Sequence, residues 1–404
     1  MIIHLANGLN LFFIYYPIVM SFIWLVGALF FKLTHAPAKL VLVKPPSVAV
    51  IVPAYNESAT IIEVVTALLK LNYANYQLIL VNDQSTDDTL AKMQQLQLLH
   101  GENRIQIIDL PQNGGKARAL NAALSMITTD YVYVVDADAS THPDALMWLV
   151  QRMETTPALG AATGRPIIRN RTSILGRVQT LEYLGIIGNI KEAQSFYFQQ
   201  IMSISGVSAL YRTQALQAIG GFDVQAMTED IDATWRLYAA GWLVGYEPRA
   251  YTYILGPETM RGLFRQRSRW AVGGLEVLLK QLRTFTRQRW QGKAMLLDML
   301  AGHLWMWLFV ISIVQYVETC VLTQQLHLDG IVVSIYMVCG LLQFYVGMLQ
   351  FRSSVQITLA DLSVIPVYMF YYWLLNAMAA LAAEFTLLFH KSGNGKWASP
   401  DRGL

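Results

Sequence analysis

Charge and cysteine are both scarce in this sequence. Only 14% of its 404 residues are charged and 54% are hydrophobic, whereas an average soluble protein has about 25% charged residues. The net charge of +3 is small, and no patterned basic and aromatic face is present, so nucleic acid is not an expected partner. Cys320 and Cys339 lie in apolar C-terminal runs, which gives no indication of a disulfide framework or a zinc site.

The hydrophobic excess is concentrated at the two ends of the chain. Residues 11–31 contain no charge and are long enough to span a bilayer. No basic region precedes them and no small-residue cleavage site follows, which favours a retained anchor over a signal peptide. Because Lys32, Lys39 and Lys44 follow this run, the positive-inside rule places the N-terminus outside and the next domain in the cytoplasm. We assign residues 1–33 to an N-terminal transmembrane helix.

Short apolar runs alternate with helical stretches over residues 45–260. Strands are predicted at 47–53, 77–81, 104–109, 131–135 and 201–211, and helices at about 59–71, 87–98 and 115–126. Alternation at this spacing is typical of βαβ units. The sequence therefore predicts an α/β domain with a Rossmann-like, mostly parallel sheet.

The C-terminal third begins with a basic segment and continues with apolar runs. Residues 261–293 contain nine Lys and Arg residues and one acid, Glu276, interleaved with Leu, Phe and Trp. This pattern predicts basic amphipathic interfacial helices on anionic lipid, although a solvated basic face is the alternative. Apolar runs at 304–322, 331–351 and 357–389 predict about three transmembrane helices within 294–390.

The predicted spans and the tail disagree about the side of the C-terminus. Four spans that start outside leave the C-terminus outside, whereas the basic residues of the tail at 391–404 favour the inside. A re-entrant turn near Pro366 would remove the conflict.

Two carboxylates, Asp136 and Asp138, follow the β-branched and aromatic run at 131–135. The carboxyl end of a parallel strand points into the crevice where open α/β sheets bind ligands. Hard oxygen ligands there suit Mg²⁺ or Mn²⁺ carrying a diphosphate. Taken alone, the pair is more typical of a solvated turn at a strand end.

Two further strand ends carry residues suited to a nucleotide. Asp83 follows the second strand and can accept a hydrogen bond from a nucleobase N–H, with Asn56 and Glu57 in the neighbouring loop. The Asn-Gly-Gly-Lys sequence that ends at Lys116 offers close backbone approach and an ammonium to phosphate at a helix N-terminus. It matches neither the Walker nor the dinucleotide-binding pattern.

Two motifs later in the chain could complete a transferase. In Thr228-Glu229-Asp230, one carboxylate could take the proton from an attacking hydroxyl, although acids at a helix start also cap the helix and complement its dipole. Gln266-x-x-Arg269-Trp270 combines a guanidinium suited to diphosphate with an indole suited to stacking a sugar. Its alternative is an interfacial Arg–Trp pair that snorkels to the headgroups.

Together, and in this order, these stretches resemble the family 2 processive membrane glycosyltransferases, which include cellulose, hyaluronan and chitin synthases. The stretches are residues 53–57 (Pro-Ala-Tyr-Asn-Glu), the Asp83 loop, the Asp136–Asp138 pair, and the motifs at 228–230 and 266–270. The modest length, residues 205–212 and the tail at 397–403 are most similar to the bacterial poly-β-1,6-N-acetylglucosamine synthases of biofilms.

The resemblance implies a GT-A-type cytoplasmic domain and a multi-pass protein of the bacterial inner membrane. It implies inverting transfer from UDP-GlcNAc to a growing polysaccharide, with export through the bilayer and a small membrane accessory subunit. The implied metal ligands are Asp138 and Asp136, for Mg²⁺ or Mn²⁺. The implied catalytic residues are Asp230 as the base, Glu229, Arg269 and Trp270. The implied nucleotide- and substrate-binding residues are Asn56, Glu57, Asp83, Lys116, Asp136, Ser205, Gly206, Gln266, Arg269 and Trp270.

Other functions remain open at this point. Another processive synthase, of chitin-like oligosaccharide or hyaluronan, is the runner-up. A transferase acting on a lipid phosphate needs no Gln-x-x-Arg-Trp element, and a non-catalytic transporter or scaffold would not need Asp138, Asp230 and Trp270. Candidates to line an export path are Trp305, Trp307, Tyr316, Tyr345, Tyr368, Tyr371, Tyr372 and Trp373.

Overall fold

The computed structural model describes residues 2–35, 44–325, 330–351 and 357–389. The predicted basic tail at 391–404 lies outside the described residues. The helices are α1 (Ile2–Thr34), α2 (Ile61–Leu68), α3 (Thr89–His100), α4 (Lys116–Leu124), α5 (Ala145–Thr155), α6 (Ile174–Glu182), a π-helical turn (Tyr183–Ile187), α7 (Gly188–Phe198), α8 (Thr213–Ala218), α9 (Glu229–Ala239), α10 (Met260–Leu282), a 3₁₀ turn (Phe285–Arg287), α11 (Trp290–Thr323), α12 (Gly330–Phe351), α13 (Leu359–Leu362) and α14 (Ile365–Phe389). The strands are β1 (Val48–Ala54), β2 (Tyr76–Asn82), β3 (Ile105–Asp109), β4 (Tyr131–Val135), β5 (Ser140–Thr141), β6 (Leu159–Ile168), β7 (Ser208–Arg212) and β8 (Leu243–Ile254).

The strands form one mixed sheet in the order β3-β2-β1-β4-β7-β6-β8-β5. β1 pairs in parallel with β2 and β4, and β2 with β3. β7 lies antiparallel between β4 and β6, while β6 and β8 are parallel. Apolar residues on both faces of the sheet pack against helices, which is why the central strands read as continuous hydrophobic runs. The predicted α/β fold with a mostly parallel sheet is confirmed.

Several predicted elements differ from those in the structure. The strand expected at 201–211 is shorter and covers only Ser208–Arg212. The residues before it form a loop because backbone amides among them donate hydrogen bonds to side chains. The Ile204 amide donates to Thr234 Oγ1 at 3.1 Å and the Gly206 amide to Asp230 Oδ2 at 2.7 Å. The segment α6–α7 and strands β6 and β8 were not predicted.

Among the described residues, two helices are long and apolar enough to cross a membrane, over Gly8–Thr34 and Trp290–Thr323. A shorter apolar helix spans Val333–Leu349, and the stretches Leu359–Met369 and Leu374–Phe389 meet at a bend of 52°. Helix α11 runs without a break from Trp290 and so crosses the predicted boundary between the basic segment and the apolar helices at 293/294.

The segment from α6 to α7 joins the α/β domain to the apolar helices. Tyr197 Oη donates to the Ile23 carbonyl of α1 at 3.1 Å, and Asn189 Nδ2 donates to the Gln343 carbonyl of α12 at 3.1 Å. The buried carboxylate of Asp361, just before α14, lies 2.9 Å from Arg177 and 3.5 Å from Arg171.

Both ends of α14 pack against helices that are continuous with the α/β domain. Tyr368, near its start, belongs to the cluster that contains Val178 and Leu181 of α6. Leu387, near its end, packs on the cluster of α10 and α11 that contains Leu278 and Met295. This arrangement supports the expected re-entrant path near Pro366, which stays a prediction.

Candidate active site

A cavity of about 330 Å³ lies where β4 ends, at the lower end of the usual size of ligand pockets. The ends of β4 and β8, the loop before β7, and helices α4, α9 and α10 contribute to its wall. Ten predicted site residues line it: Lys116, Asp136, Asp138, Ser205, Gly206, Glu229, Asp230, Gln266, Arg269 and Trp270.

Lys116 is at the centre of the charges in this cavity. Gly115, immediately before it, has φ +84°, a left-handed conformation that glycine adopts without strain and that lets α4 begin at the lysine. Lys116 Nζ lies 2.6 Å from Asp136 Oδ1 and 2.9 Å from Glu229 Oε1. Burial alone would lower the pKa of Lys116, but the Asp136 and Glu229 carboxylates raise it well above its ordinary value. The ammonium therefore stays charged.

The carboxylates of Asp136 and Asp138 face the same cavity. Burial raises the pKa of Asp136, Lys116 opposes that rise, and the negative charge of Asp138 adds to it. Among the described residues, no group of three or more His, Cys, Asp or Glu side chains could hold a metal ion by itself. Two carboxylates are nevertheless the donor set typical of Mg²⁺ sites that are completed by substrate phosphates and water. The residues present thus fit a divalent cation that arrives with a diphosphate.

Asp230 projects from the first turn of α9. Its Oδ2 accepts a hydrogen bond from the Gly206 amide at 2.7 Å, and its Oδ1 accepts one from Ile231 at 2.9 Å. A Cβ atom at Gly206 would lie only 2.7 Å from Asp230 Oδ2, so a larger side chain there would displace the carboxylate. Burial raises the pKa of Asp230, as does the neighbouring Glu229 charge, while Lys116 lowers it. A raised pKa is suited to a general base.

The acids at the start of α9 divide between two environments. Glu229 faces the cavity, where burial would raise its pKa but Lys116 lowers it below its ordinary value. Asp232 instead pairs with Arg236 at 2.6 Å and Lys280 at 3.2 Å. Complementation of the α9 dipole, the alternative role for these acids, is consistent with the position of Asp232. It does not explain why Glu229 pairs with Lys116 inside the cavity.

The Gln-x-x-Arg-Trp element lies on α10, with Gln266, Arg269 and Trp270 in the cavity wall. Arg267, between them, is buried, and its Nη2 donates to Glu182 Oε2 at 2.7 Å. The Arg267 guanidinium carbon also lies 4.3 Å from the centroid of the Trp270 ring. The indole is therefore held against a fixed cation and does not snorkel freely into headgroups.

Three predicted nucleotide-binding residues, Asn56, Glu57 and Asp83, lie outside the cavity wall. Asp83 is fully buried and accepts hydrogen bonds from the amides of Gly114 at 2.9 Å and Gly115 at 2.8 Å. It thereby fixes the loop that positions Lys116. Asn56 has φ +56° and its Oδ1 accepts from the Thr86 amide at 2.8 Å. The predicted contacts of these three residues with a nucleotide stay predictions.

Sequence reasoning missed the contribution of the segment from the π-helical turn to α7. Tyr183, Ile187 and Lys191 line the cavity from one face of this segment. Their spacing of four residues is the one expected for a shared helix face. No motif marks them, so only the spacing could have indicated their placement.

Comparison with known proteins identifies relatives that cover nearly the whole chain. The model of "Glycosyltransferase like family 2" matches residues 45–273. A poly-beta-1,6-N-acetyl-D-glucosamine synthase of Staphylococcus epidermidis is 33% identical over 408 residues, covering 97% of this chain and 98% of the relative. The synthase of the same name from Staphylococcus aureus strain COL is 33% identical over 409 residues, with the same coverage.

A solved structure shares the fold along nearly its full length. The mannosyltransferase PcManGT of Pyrobaculum calidifontis, in complex with GDP-Man and Mn²⁺, superimposes with a TM-score of 0.65 at 19% identity. The match covers 96% of this chain and 99% of the mannosyltransferase. At this identity the likeness concerns the fold alone.

The mixed α/β sheet and the cavity at its strand ends define a GT-A-type glycosyltransferase with apolar helices suited to a membrane. The chain belongs to glycosyltransferase family 2, and its expected resemblance to the poly-β-1,6-N-acetylglucosamine synthases is confirmed.

Proposed function

We propose that this protein is a processive, inverting N-acetylglucosaminyltransferase that extends poly-β-1,6-N-acetylglucosamine from UDP-GlcNAc. N-acetylglucosamine is proposed as the sugar because the chain is similar, over 97% of its length, to poly-beta-1,6-N-acetyl-D-glucosamine synthases. Residues of the predicted motifs at 116, 136–138, 228–230 and 266–270 converge on one cavity, which supports a catalytic role over a transporter or scaffold.

In this reaction Asp230 accepts the proton of the acceptor hydroxyl as its oxygen attacks the anomeric carbon. The carbon–oxygen bond to UDP breaks on the opposite face, so an α-linked donor gives a β-linked product and UDP leaves with the bonding electrons. Lys116 and Arg269 stabilise the charge that develops on the diphosphate. A divalent cation held by Asp136 and Asp138 would neutralise further charge there. Trp270 and Gln266 bind the acceptor and the diphosphate.

We assign the nucleoside to the ends of β1 and β2, next to the cavity. Asp83 would accept from the uracil N–H while it holds the amides of Gly114 and Gly115, since a carboxylate has about four acceptor positions. Asn56 and Glu57 lie in the loop that follows β1, within the same edge of the sheet.

We further propose a multi-pass protein of the bacterial inner membrane whose catalytic domain faces the cytoplasm, where UDP-sugars are made. A second cavity lies among α1, α7, α11, α12 and α14. Its wall includes two of the eight aromatic side chains proposed for an export path, Trp305 and Tyr368. Ile186 and Ile190 line this membrane cavity, whereas Ile187 and Lys191 line the catalytic one.

The same short helical segment therefore separates the place of synthesis from the proposed path of export. A sugar polymer needs polar or aromatic partners in hydrocarbon. With few helices long enough to span, we propose that lipid and a small membrane accessory subunit complete that path.

Membranes that contain the protein test the proposal when they are incubated with each labelled UDP-sugar in turn. We expect label from UDP-GlcNAc to enter a polymer, and linkage analysis by methylation to give 1,6-linked residues. Asp138→Asn is the matched inactive control. Incorporation of a different sugar would refute the donor, and 1,4-linked residues would identify the chitin-like alternative.

A further inference from the structure

Lys191 places a buried positive charge in the wall of the catalytic cavity. It lies on α7, one helical turn after Ile187, and is only 7% exposed. Its Nζ donates a hydrogen bond to Ser205 Oγ at 2.6 Å. The group is thus fixed and directed at the loop that precedes β7.

The charge of Lys191 is compensated differently from that of other buried cations. Arg165 pairs with Glu192, and Arg267 pairs with Glu182 at 2.7 Å. Within the described part of the chain, Lys191 forms no ion pair, and its hydrogen bond goes to a neutral hydroxyl. Burial lowers the pKa of Lys191 to about 8, although the nearby Asp230 charge raises it. Burying an ammonium without a paired carboxylate costs free energy, which indicates a functional reason for its retention.

Lys191 has different partners from Lys116, the lysine proposed to bind the diphosphate. Its hydrogen-bond partner, Ser205, is adjacent to Gly206, whose amide holds Asp230 and whose carbonyl accepts from Lys116 at 3.1 Å. Lys116, not Lys191, pairs with Asp136. With Asp230 as the proposed base, the Lys191 ammonium is therefore expected on the sugar side of the cavity, where the acceptor hydroxyl would meet the anomeric carbon.

The surroundings of Lys191 match one substituent of the proposed sugar. Ile187, Pro166 and Ile254 contribute apolar surface to the same cavity. An N-acetyl group presents a carbonyl oxygen, which an ammonium can bind, and a methyl group, which apolar side chains can bury. Glucose has a hydroxyl at that position and would leave the apolar surface unfilled.

We propose that Lys191 binds the acyl carbonyl oxygen of the N-acetyl group on the donor sugar and so selects UDP-GlcNAc over UDP-glucose. This inference rests on the proposed function and adds a specificity-determining residue to it. Loss of a hydrogen bond from a charged donor is expected to reduce selectivity by about 10- to 100-fold.

The test uses the full-length protein in nanodiscs with Lys191→Met, which keeps the length of the side chain and removes the charge. Titrations with UDP, UDP-GlcNAc and UDP-glucose give three affinities for each variant. We expect UDP affinity to stay within about twofold, UDP-GlcNAc affinity to fall and UDP-glucose affinity to change little. The exposed Lys70→Met is the control and should leave all three unchanged.

Three outcomes would overturn this assignment. Lys191→Met could retain the preference for UDP-GlcNAc, or it could lose affinity for all three ligands in parallel. Should Lys191→Met not fold, Lys191→Leu replaces it, since leucine also removes the charge and the N–H donor. Loss of selectivity in a folded Lys191→Leu that still binds UDP supports the assignment, and unchanged selectivity contradicts it. A wild-type protein that prefers another UDP-sugar would instead refute the proposed donor, a distinct result.

Discussion

The buried ion pair between Glu182 and Arg267 offers a quantitative test of how the wall of the cavity around Trp270 is held together. Glu182 ends α6, and Arg267 lies on α10 within the Gln-x-x-Arg-Trp element. Their side chains are 7% and 4% exposed, so solvent screens the pair little. Burial raises the pKa of Glu182, and the Arg267 charge opposes that rise.

Removing one partner of a buried pair leaves the other charge poorly compensated, which typically destabilises a protein by about 3–5 kcal/mol. For a domain of this size, 1 kcal/mol corresponds to about 2–4 °C in Tm. Glu182→Met and Arg267→Met are therefore each expected to lower Tm by about 6–20 °C. The double variant removes both charges and should be more stable than either single variant, because well-packed apolar groups often replace a buried pair at little cost.

Tryptophan fluorescence during heating of detergent-purified protein, at one scan rate, gives the four Tm values of this cycle. The control is Glu63→Gln, which breaks the more exposed pair between Glu63 and Arg169, whose side chains are 51% and 25% exposed. It should cost less than about 1 kcal/mol. The reasoning is refuted if Glu182→Met lowers Tm no more than this control, or if the double variant is as unstable as the sum of the single ones.

Three further predictions concern chemistry and topology. Asp138→Asn should abolish transfer and the Mn²⁺-dependent gain in UDP affinity with Tm unchanged; activity at the wild-type level in Mg²⁺ or Mn²⁺ would contradict its role as a metal ligand. Asp230→Asn should lower polymer synthesis by about 10²–10⁴-fold with near-normal UDP affinity, whereas Arg269→Ala should weaken both, and UDP titration separates these outcomes. Two variants without the native cysteines would each carry one new cysteine, at the exposed position of Met126 or of Leu388. Both are expected to resist an impermeant thiol reagent on intact cells and to react after lysis. Labelling of the Leu388 variant alone would show that α14 crosses the membrane.

The half of the site that depends on short-range sequence patterns could be predicted from the sequence. Strands β1, β2 and β4 are buried on both faces, so each is a largely apolar run, and polar residues follow where the strand ends. This pattern alone was sufficient to place Asp136 and Asp138 at the end of a buried strand. The Asn-Gly-Gly-Lys loop was also found, although its attachment to Asp83 through two backbone amides depends on the fold.

The other half depends on contacts between residues far apart in the chain. β6 contains Gly164, Arg165 and Pro166, all unusual in a central strand. Arg165 is accommodated because it pairs with Glu192 of α7 and its Nε donates to the Tyr246 hydroxyl at 2.7 Å. The helical segment before β7 likewise buries Glu182 and Lys191, which sequence patterns assign to the surface. Sequence patterns therefore fail to identify a strand or a helix when it contains charged residues whose partners lie on other elements.

These long-range contacts make one wall of the catalytic cavity dependent on the apolar helices. Tyr183, Ile187 and Lys191 enter the catalytic cavity from a segment whose other side is bonded to α12 through Asn189 and to α1 through Tyr197. The diphosphate side, built on β4 and α4, has no such attachment among its bonds at Lys116 and Asp136. Displacing α1 or α12 is therefore expected to disturb the cavity wall formed by Tyr183, Ile187 and Lys191 before it disturbs Lys116 and Asp136.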